Sequence, residues 1–165
     1  PEKGLEDAVK IASNLGEKLL VWGHFEDNDY ASRIEKSVPK GTIEWKGFLP
    51  TSEFQEQLGL CRAFINTPKW NEAYGNVVVE AMACGVPVIA YNLGGPGELI
   101  KPGLNGYLVE PNDINGMIKA VKSISKINRN DCRIWAEKNA SQQVFAKRVE
   151  DWIGSGIKQN ISQHL

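Results

Sequence analysis

The sequence predicts an α/β fold in which a Rossmann-like parallel sheet is covered by helices on both faces. Short apolar runs typical of buried strands alternate along the chain with amphipathic stretches typical of helices. Gly and Pro residues mark nearly every junction between them. Because the helices that connect parallel strands cover both faces of a sheet, this alternation favours a parallel sheet.

The first half of the chain predicts three helices and two strands. Apolar residues recur at helical spacing from Leu5 to Leu15, and Gly16 predicts the end of that first helix. Thr51 or Ser52 is predicted to cap the third helix, because a glutamate follows as a capping-box partner. The other elements of this half are a strand over residues 18–22, a helix over 29–37 and a strand over 42–45.

The second half predicts three strands and five helices. The strands cover residues 62–66, 88–90 and 106–109. One helix begins at Gly75, and the other four cover residues 98–100, 111–124, 129–139 and 142–153. The polar residues 154–165 predict a frayed tail, so the predicted domain covers residues 1–153.

The stretch 66–95 predicts one βαβ unit that carries two carboxylates, Glu72 just before its helix and Glu80 on the second turn. Apolar neighbours predict that Glu80 borders an apolar environment, where a charged group needs polar partners. The helix start offers free N–H groups and a positive dipole end, which suit a phosphate. In one interpretation the carboxylates bind ligand hydroxyls beside that phosphate. In the other, Glu72 caps the helix and Glu80 forms a surface ion pair.

The segment from Glu72 to Glu80, followed by AMACGVPVIA and then by GG and GELI, resembles the E-x7-E signature of GT-B glycosyltransferases. It is most similar to the retaining family four, the glycosyl transferases group 1. The resemblance extends from residue 1 to about residue 152. It implies one half of a GT-B fold, the C-terminal domain that binds a nucleotide-activated sugar, with a UDP-hexose as the expected donor. The acceptor would be held by an N-terminal domain of the same longer chain.

The resemblance also implies a role for nine residues. It assigns Glu80 to the ribose hydroxyls of the donor, Glu72 to the transferred sugar, and Lys3 to the diphosphate as that group leaves, so Glu72 and Lys3 are the catalytic candidates. Without the resemblance, Lys3 is better interpreted as a solvated terminal lysine. The other donor-binding candidates are Leu49 at the base, the N–H groups of Ala73, Tyr74 and Gly75 at the sugar, and those of Asn76 and Val77 at the diphosphate.

The chain departs from the family pattern at its start. In the resembling enzymes a strand and a Gly-Arg pair precede the Lys-Gly that Lys3 and Gly4 match. The chain also begins without Met, so we expect further sequence upstream. The resemblance then implies that this chain alone binds a donor weakly and transfers no sugar.

Composition argues against several other classes of protein. The 19 basic and 20 acidic residues give a net charge of -1, which is no footprint for nucleic acid. Asp27-Asn28-Asp29 is interpreted as a helix cap and not as a metal motif, and no catalytic triad is visible. We therefore expect no required metal or cofactor besides the donor. The three cysteines have no metal-like spacing and fit a cytoplasmic protein, with membrane-peripheral attachment only through the missing domain.

Two alternative functions stay open at this stage. A sugar-nucleotide epimerase or phosphorylase of the same fold would share the diphosphate site. A non-catalytic Rossmann-like module, nucleotide-binding or merely a scaffold, would perform no chemistry. Trp70 precedes Glu72 and is expected to pack in the core, although it lies within reach of a sugar, and His24 is expected to be a loop residue without a role.

Overall fold

The computed structural model of the protein describes residues 2–24 and 27–162. Pro1 of the predicted domain and residues 163–165 of the predicted tail lie outside them. The helices are α1 (Leu5–Leu15), α2 (Asn28–Lys36), α3 (Thr51–Gly59), α4 (Asn76–Ala83), α5 (Pro96–Leu99), α6 (Ile114–Ser123), α7 (Arg129–Ala140) and α8 (Gln142–Ser162), with a 3-10 turn at Ile124–Lys126. The strands are β1 (Leu19–Trp22), β2 (Ile43–Gly47), β3 (Phe64–Asn66), β4 (Val88–Tyr91) and β5 (Gly106–Val109).

All strand pairs among the described residues are parallel, as predicted, but they form two sheets instead of one. β1 pairs with β2, and β4 lies between β3 and β5. Within each sheet, every connection between neighbouring strands contains at least one helix, which is the crossover that parallel strands require. The two sheets with their helices form the α/β architecture that the sequence predicts.

The core is divided between the two sheets, and α1 contacts both parts. All four residues of β4 are buried, as expected for a central parallel strand covered on both faces. Ile11 of α1 belongs to the larger apolar cluster around β4. Val9 of the same helix packs with Ile34 and Ile43 in the smaller cluster beside β1 and β2. Helix α1 therefore joins the two sheets.

The predicted caps are partly right. Asp27 caps α2 by accepting from the backbone N–H of Tyr30, and Asp113 caps α6 in the same way, so the helix-cap interpretation of Asp27 is confirmed. The cap predicted for α3 is wrong, because its N-cap is Pro50 and no side chain caps it. A proline before the first turn has a preset φ and needs no side-chain cap to begin a helix.

The C-terminal helix is longer than predicted. α8 continues through Gly154 to Ser162, so no change in secondary structure marks the predicted boundary between domain and tail. Gly154 and Gly156 each cost a helix interior only about 1 kcal/mol, and no proline follows them. Three large apolar side chains of α8 are exposed, at 68%, 38% and 76% for Phe145, Val149 and Trp152.

Candidate functional site

The candidate site lies where the direction of the chain across the sheets reverses. From β1 the chain continues outward to β2, whereas from β3 it continues the other way to β4 and β5. In open α/β sheets, ligands bind outside the carboxyl ends of the strands at such a reversal. A cavity of about 960 Å3 opens there, and its rim includes Lys3, His24, Thr67, Trp70 and Val77.

The loop that carries Glu72 is held by the Gly94-Gly95 turn. The backbone N–H of Gly95 donates to the carbonyl oxygen of Glu72 at 2.6 Å, and Glu72 and Gly94 form an isolated parallel bridge. A Cβ on Gly94 would lie within 3.0 Å of backbone atoms of Glu72, and one on Gly95 within 3.0 Å of backbone atoms of Tyr74. Both positions therefore require glycine, because only glycine permits this approach of two backbones.

Lys3, Trp70 and Glu72 form one cluster at the rim of the cavity. Trp70 donates from Nε1 to Oε2 of Glu72 at 3.2 Å, and Lys3 Nζ lies 3.9 Å from the same oxygen. The Lys3 ammonium also lies 4.2 Å from the centre of the Trp70 ring, within the range of a cation–π contact. The two catalytic candidates are thus neighbours, and Trp70 contacts both instead of packing in the core.

Helix α4 begins without any side-chain cap. Its N-cap is Gly75 at a φ of 94°, a left-handed conformation that L side chains rarely adopt. The glycine is therefore required by its own backbone conformation, whereas we predicted a role in admitting a ligand. The carbonyl of Gly75 accepts from Val78 and Val79, which leaves the N–H groups of Asn76 and Val77 without a partner in the helix. With no acidic residue in the first turn, this helix start retains its positive end.

Glu80 is exposed on α4, so this charged residue is accessible to solvent. Its apolar neighbours turn inward only in part, since Val78, Ala81 and Met82 are buried whereas Val77 is 45% exposed. The alternative interpretation of the two carboxylates is wrong in both parts. Gly75, not Glu72, is the N-cap of α4, and Glu80 forms no ion pair with any residue in the described ranges.

The remaining site candidates lie on two exposed loops. Leu49 is half-buried after the carboxyl end of β2 and does not border the cavity that Lys3 borders. Beside it, Phe48 is 68% exposed and stacks on His24 at 5.1 Å. Ala73 and Tyr74 are exposed on the loop that carries Glu72.

A buried polar cluster that no sequence pattern indicated connects this loop to three other elements. Asp7 of α1, which is 7% exposed, accepts from Tyr91 at 2.6 Å and forms an ion pair with Lys69. Lys69 Nζ also donates to Asn112 at 2.8 Å, just before α6. Burial raises the pKa of Asp7, but the hydrogen bonds from Lys69 and Tyr91 outweigh it and hold that pKa below its ordinary value. No short motif marks these residues, because the two members of each hydrogen-bonded pair are more than 40 positions apart in the sequence.

Two properties of the described residues bear on cofactors and membranes. Within residues 2–24 and 27–162, no three His, Cys, Asp or Glu side chains converge in a way that could hold a metal ion. In the same ranges, every helix is too short or too polar to cross a bilayer. All three cysteines are free, and burial raises the pKa of Cys132 to about 11.

The strand reversal, the crevice beside it and the uncapped start of α4 define a Rossmann-like α/β domain, one half of a GT-B fold. The chain belongs to the glycosyl transferases group 1 family, which matches residues 1–143. Over 150 residues it is 30% identical to a glycosyltransferase of Methanocaldococcus jannaschii, covering 90% of this chain and 41% of that protein.

Two solved structures have the same fold. Anabaena HepE in complex with UDP-glucose superposes with a TM-score of 0.81 at 20% identity, over 94% of this chain and 46% of that one. The lipopolysaccharide outer core galactosyltransferase WaaB superposes with a TM-score of 0.81 at 21% identity over the same shares. The chain therefore spans less than half the length of the proteins it matches.

Proposed function

We propose that this chain is the donor-binding domain of a retaining, family-four hexosyltransferase, and that its donor is a UDP-hexose. The observation that carries the proposal is the cluster of Lys3, Trp70 and Glu72 beside the uncapped start of α4. It places a cation, a carboxylate and free N–H groups around one crevice. Anabaena HepE, which shares the fold, is known in complex with UDP and with UDP-glucose.

The diphosphate binds at the start of α4 in this proposal. The N–H groups of Asn76 and Val77 donate to its oxygens, and the helix dipole adds a favourable field. Lys3 is 75% exposed on its side chain, so its ammonium is free to reach a bound phosphate. As the bond between sugar and phosphate breaks, negative charge grows on the leaving diphosphate, and Lys3 stabilises that charge.

The two carboxylates bind different parts of the donor. Glu80, exposed on the second turn of α4, accepts from the ribose hydroxyls. Glu72 accepts from the transferred sugar, together with the backbone N–H groups of Ala73, Tyr74 and Gly75, and Leu49 lies on the side of the base. Trp70 and the Gly94-Gly95 turn keep Glu72 in place.

The rest of the reaction lies outside this chain. An N-terminal domain of the longer protein holds the acceptor, so the chain alone binds donor without transferring sugar. No metal is required, since Lys3 and the start of α4 meet the phosphate charge. The three free thiols fit a reducing, cytoplasmic location.

Conservative substitutions of the two glutamates test this division of roles by calorimetric titration with UDP and with UDP-glucose. A hydrogen bond to a charged group contributes about 1.5–3 kcal/mol, so Glu80→Gln should weaken both ligands about ten- to a hundredfold. Both ligands carry the ribose. Glu72→Gln should leave UDP affinity unchanged, since UDP lacks the transferred sugar, and should lower the turnover of the longer enzyme.

Glu150→Gln is the matched control, because Glu150 is exposed on α8 away from the crevice and should change neither affinity. Equal weakening of UDP by Glu72→Gln and Glu80→Gln would contradict the assigned roles. If the unsubstituted chain binds neither ligand at millimolar concentration, donor binding by this chain is contradicted and the scaffold alternative is favoured.

A further inference from the structure

Lys69 connects the segment that carries Lys3 with the loop that carries Glu72, although it does not itself border the cavity. Its backbone N–H donates to the carbonyl oxygen of Glu2 at 2.8 Å, one residue before Lys3. Its side chain forms an ion pair with Asp7, in the first turn of α1 and therefore after Lys3. Lys69 thus holds the chain on both sides of Lys3, and Glu72 follows Lys69 on its own loop.

The segment that carries Lys3 packs directly against the residues before Lys69. The Thr67 hydroxyl donates to the carbonyl of Gly4 at 2.9 Å, and Thr67 is only 2% exposed. A Cβ on Gly4 would lie 1.6 Å from the carbonyl oxygen of Thr67, so only glycine permits this approach. Because these contacts fix the backbone beside Lys3, the position of its ammonium depends on where residues 67–69 lie.

The ammonium of Lys69 has partners on three other elements. Besides its ion pair with Asp7 of α1, it donates to Oδ1 of Asn112, just before α6, at 2.8 Å. It also lies 5.5 Å from the centre of the Tyr91 ring at the end of β4, within the range of a cation–π contact. Since Asp7 is buried, solvent and salt screen this ion pair less than a surface pair. The side chain of Lys69 therefore fixes its loop against the body of the domain.

We propose that Lys69 is a positioning residue for sugar transfer, whose ion pair with Asp7 holds the ammonium of Lys3 against Glu72. The inference rests on the proposed function, in which Lys3 meets the diphosphate and Glu72 the transferred sugar. Asp7 neutralises the charge of Lys69, so Lys69 acts through these two residues and not on the phosphate itself. Without the ion pair the loop is free to shift relative to α1, and the separation of 3.9 Å between Lys3 and Glu72 changes. A displacement of about 1 Å near reacting groups costs up to about a hundredfold in rate.

Three variants separate positioning from a general loss of stability. Lys69→Met keeps most of the side-chain length and removes the charge, so the ion pair with Asp7 is lost while the backbone hydrogen bond to Glu2 is retained. Lys69→Arg keeps the charge and should behave as the parent chain does. Lys147→Met is the matched control, because Lys147 forms an exposed ion pair with Asp151 within α8. Circular dichroism gives the temperature below which all forms are folded, and every measurement is made there.

The indole N–H of Trp70 reports the geometry of the cluster without any nucleotide, so this readout is independent of the proposed function. It donates to Glu72 at 3.2 Å, and the Lys3 ammonium lies 4.2 Å from the centre of its ring. In NMR spectra, Lys69→Met should shift the indole signal of Trp70 and leave that of Trp135, on α7, in place. The arginine variant and the α8 control should leave both signals in place.

Calorimetric titrations with UDP and UDP-glucose then test the consequence for the donor. Since Lys3 meets the diphosphate of both ligands, Lys69→Met should weaken UDP about two- to fivefold. UDP-glucose also contacts Glu72, so its affinity should fall about tenfold or more. Asp7→Asn should act in the same way. The double variant should bind UDP-glucose no more weakly than either single variant, because both substitutions remove one shared interaction.

An indole signal of Trp70 that stays in place in Lys69→Met would overturn the proposal. So would additive effects of Asp7→Asn and Lys69→Met on UDP-glucose affinity, or a shifted signal with both affinities unchanged. If the parent chain binds neither ligand, the proposed function fails, while the Trp70 signal still decides whether Lys69 sets the geometry of the cluster.

A milder variant keeps the test decisive if Lys69→Met does not fold. Asn112→Gly removes the second oxygen partner of Lys69 and retains the φ of 67°, which glycine adopts freely. It should shift the indole signal of Trp70 in the same direction by a smaller amount. A signal that stays in place in this variant as well would overturn the positioning role.

Discussion

Replacing Gly95 by alanine should destabilise the loop that carries Glu72 without straining the backbone at residue 95. Gly95 has a φ of -51°, which alanine adopts freely. Its new Cβ would nevertheless lie within 3.0 Å of three backbone atoms of Tyr74, a separation that Cβ atoms essentially never show. The loop must then move away, and the hydrogen bond from Gly95 to the Glu72 carbonyl must lengthen from 2.6 Å.

Two other glycines separate steric overlap from backbone strain. Gly103 has a φ of 80° and open space around its Cβ position, so Gly103→Ala imposes strain alone. That strain is about 1–2 kcal/mol, partly offset by the lower entropy of the unfolded chain. Gly95→Ala imposes overlap alone, about 1–3 kcal/mol. Gly94→Ala imposes both, because its φ is 73° and its Cβ would overlap backbone atoms of Glu72, so about 2–5 kcal/mol is expected.

Thermal unfolding followed by circular dichroism measures these costs, at about 2–4 °C per kcal/mol for a domain of this size. UDP-glucose affinity is then measured at a temperature where all variants are folded. Gly94→Ala and Gly95→Ala should weaken UDP-glucose more than UDP, whereas Gly103→Ala should change neither affinity. A Gly95→Ala variant with the stability and affinity of the parent chain would refute the close approach of the two loops.

Three further predictions concern the polar groups near the site. Asp7→Asn should lower the free energy of unfolding by about 2 kcal/mol near neutral pH, because Lys69 loses its charged partner. Since the pKa of folded Asp7 is lowered, urea unfolding should show this difference above about pH 4, and the difference should disappear as the pH falls below the folded pKa. Trp70→Phe keeps a ring beside Lys3 but removes the N–H that donates to Glu72, so titrations should show about two- to tenfold lower affinity for UDP-glucose and unchanged affinity for UDP. Equal weakening of both ligands would contradict the role of Trp70 in holding Glu72. Adding EDTA should leave UDP affinity unchanged in calorimetry, whereas a large loss would indicate a metal-bridged diphosphate.

The order of the elements could be predicted because local chemistry marks each junction. Gly16 takes a φ of 65° at the end of α1, and Gly85 takes 69° between α4 and β4, so the glycines that predicted these breaks have the conformations that only glycine adopts readily. Other boundaries differ from the prediction, that of α8 most of all and two others by two residues. β3 begins at Phe64 instead of residue 62, and α5 begins at Pro96 instead of residue 98.

The contacts that position the site could not be predicted, because they join distant parts of the chain. Lys69 binds Asp7 across 62 positions, and Tyr91 binds Asp7 across 84. Asp7 lies next to the apolar face predicted for α1. Its carboxylate is buried because Tyr91 of β4 packs and hydrogen-bonds against it, a contact that the helix sequence does not show. The separation into two sheets could not be predicted either, because no local pattern shows which strands pair with one another.

An NMR titration of the 165-residue chain with UDP tests donor binding at the start of α4 most directly. The amide signals of Asn76 and Val77 should move, because their N–H groups gain phosphate partners, and those of Lys3 and of the loops after β1 and β2 should follow. Millimolar UDP is sufficient if the chain alone binds weakly. The absence of any change at that concentration, or changes confined to α6 and β5, would contradict a nucleotide site at this crevice.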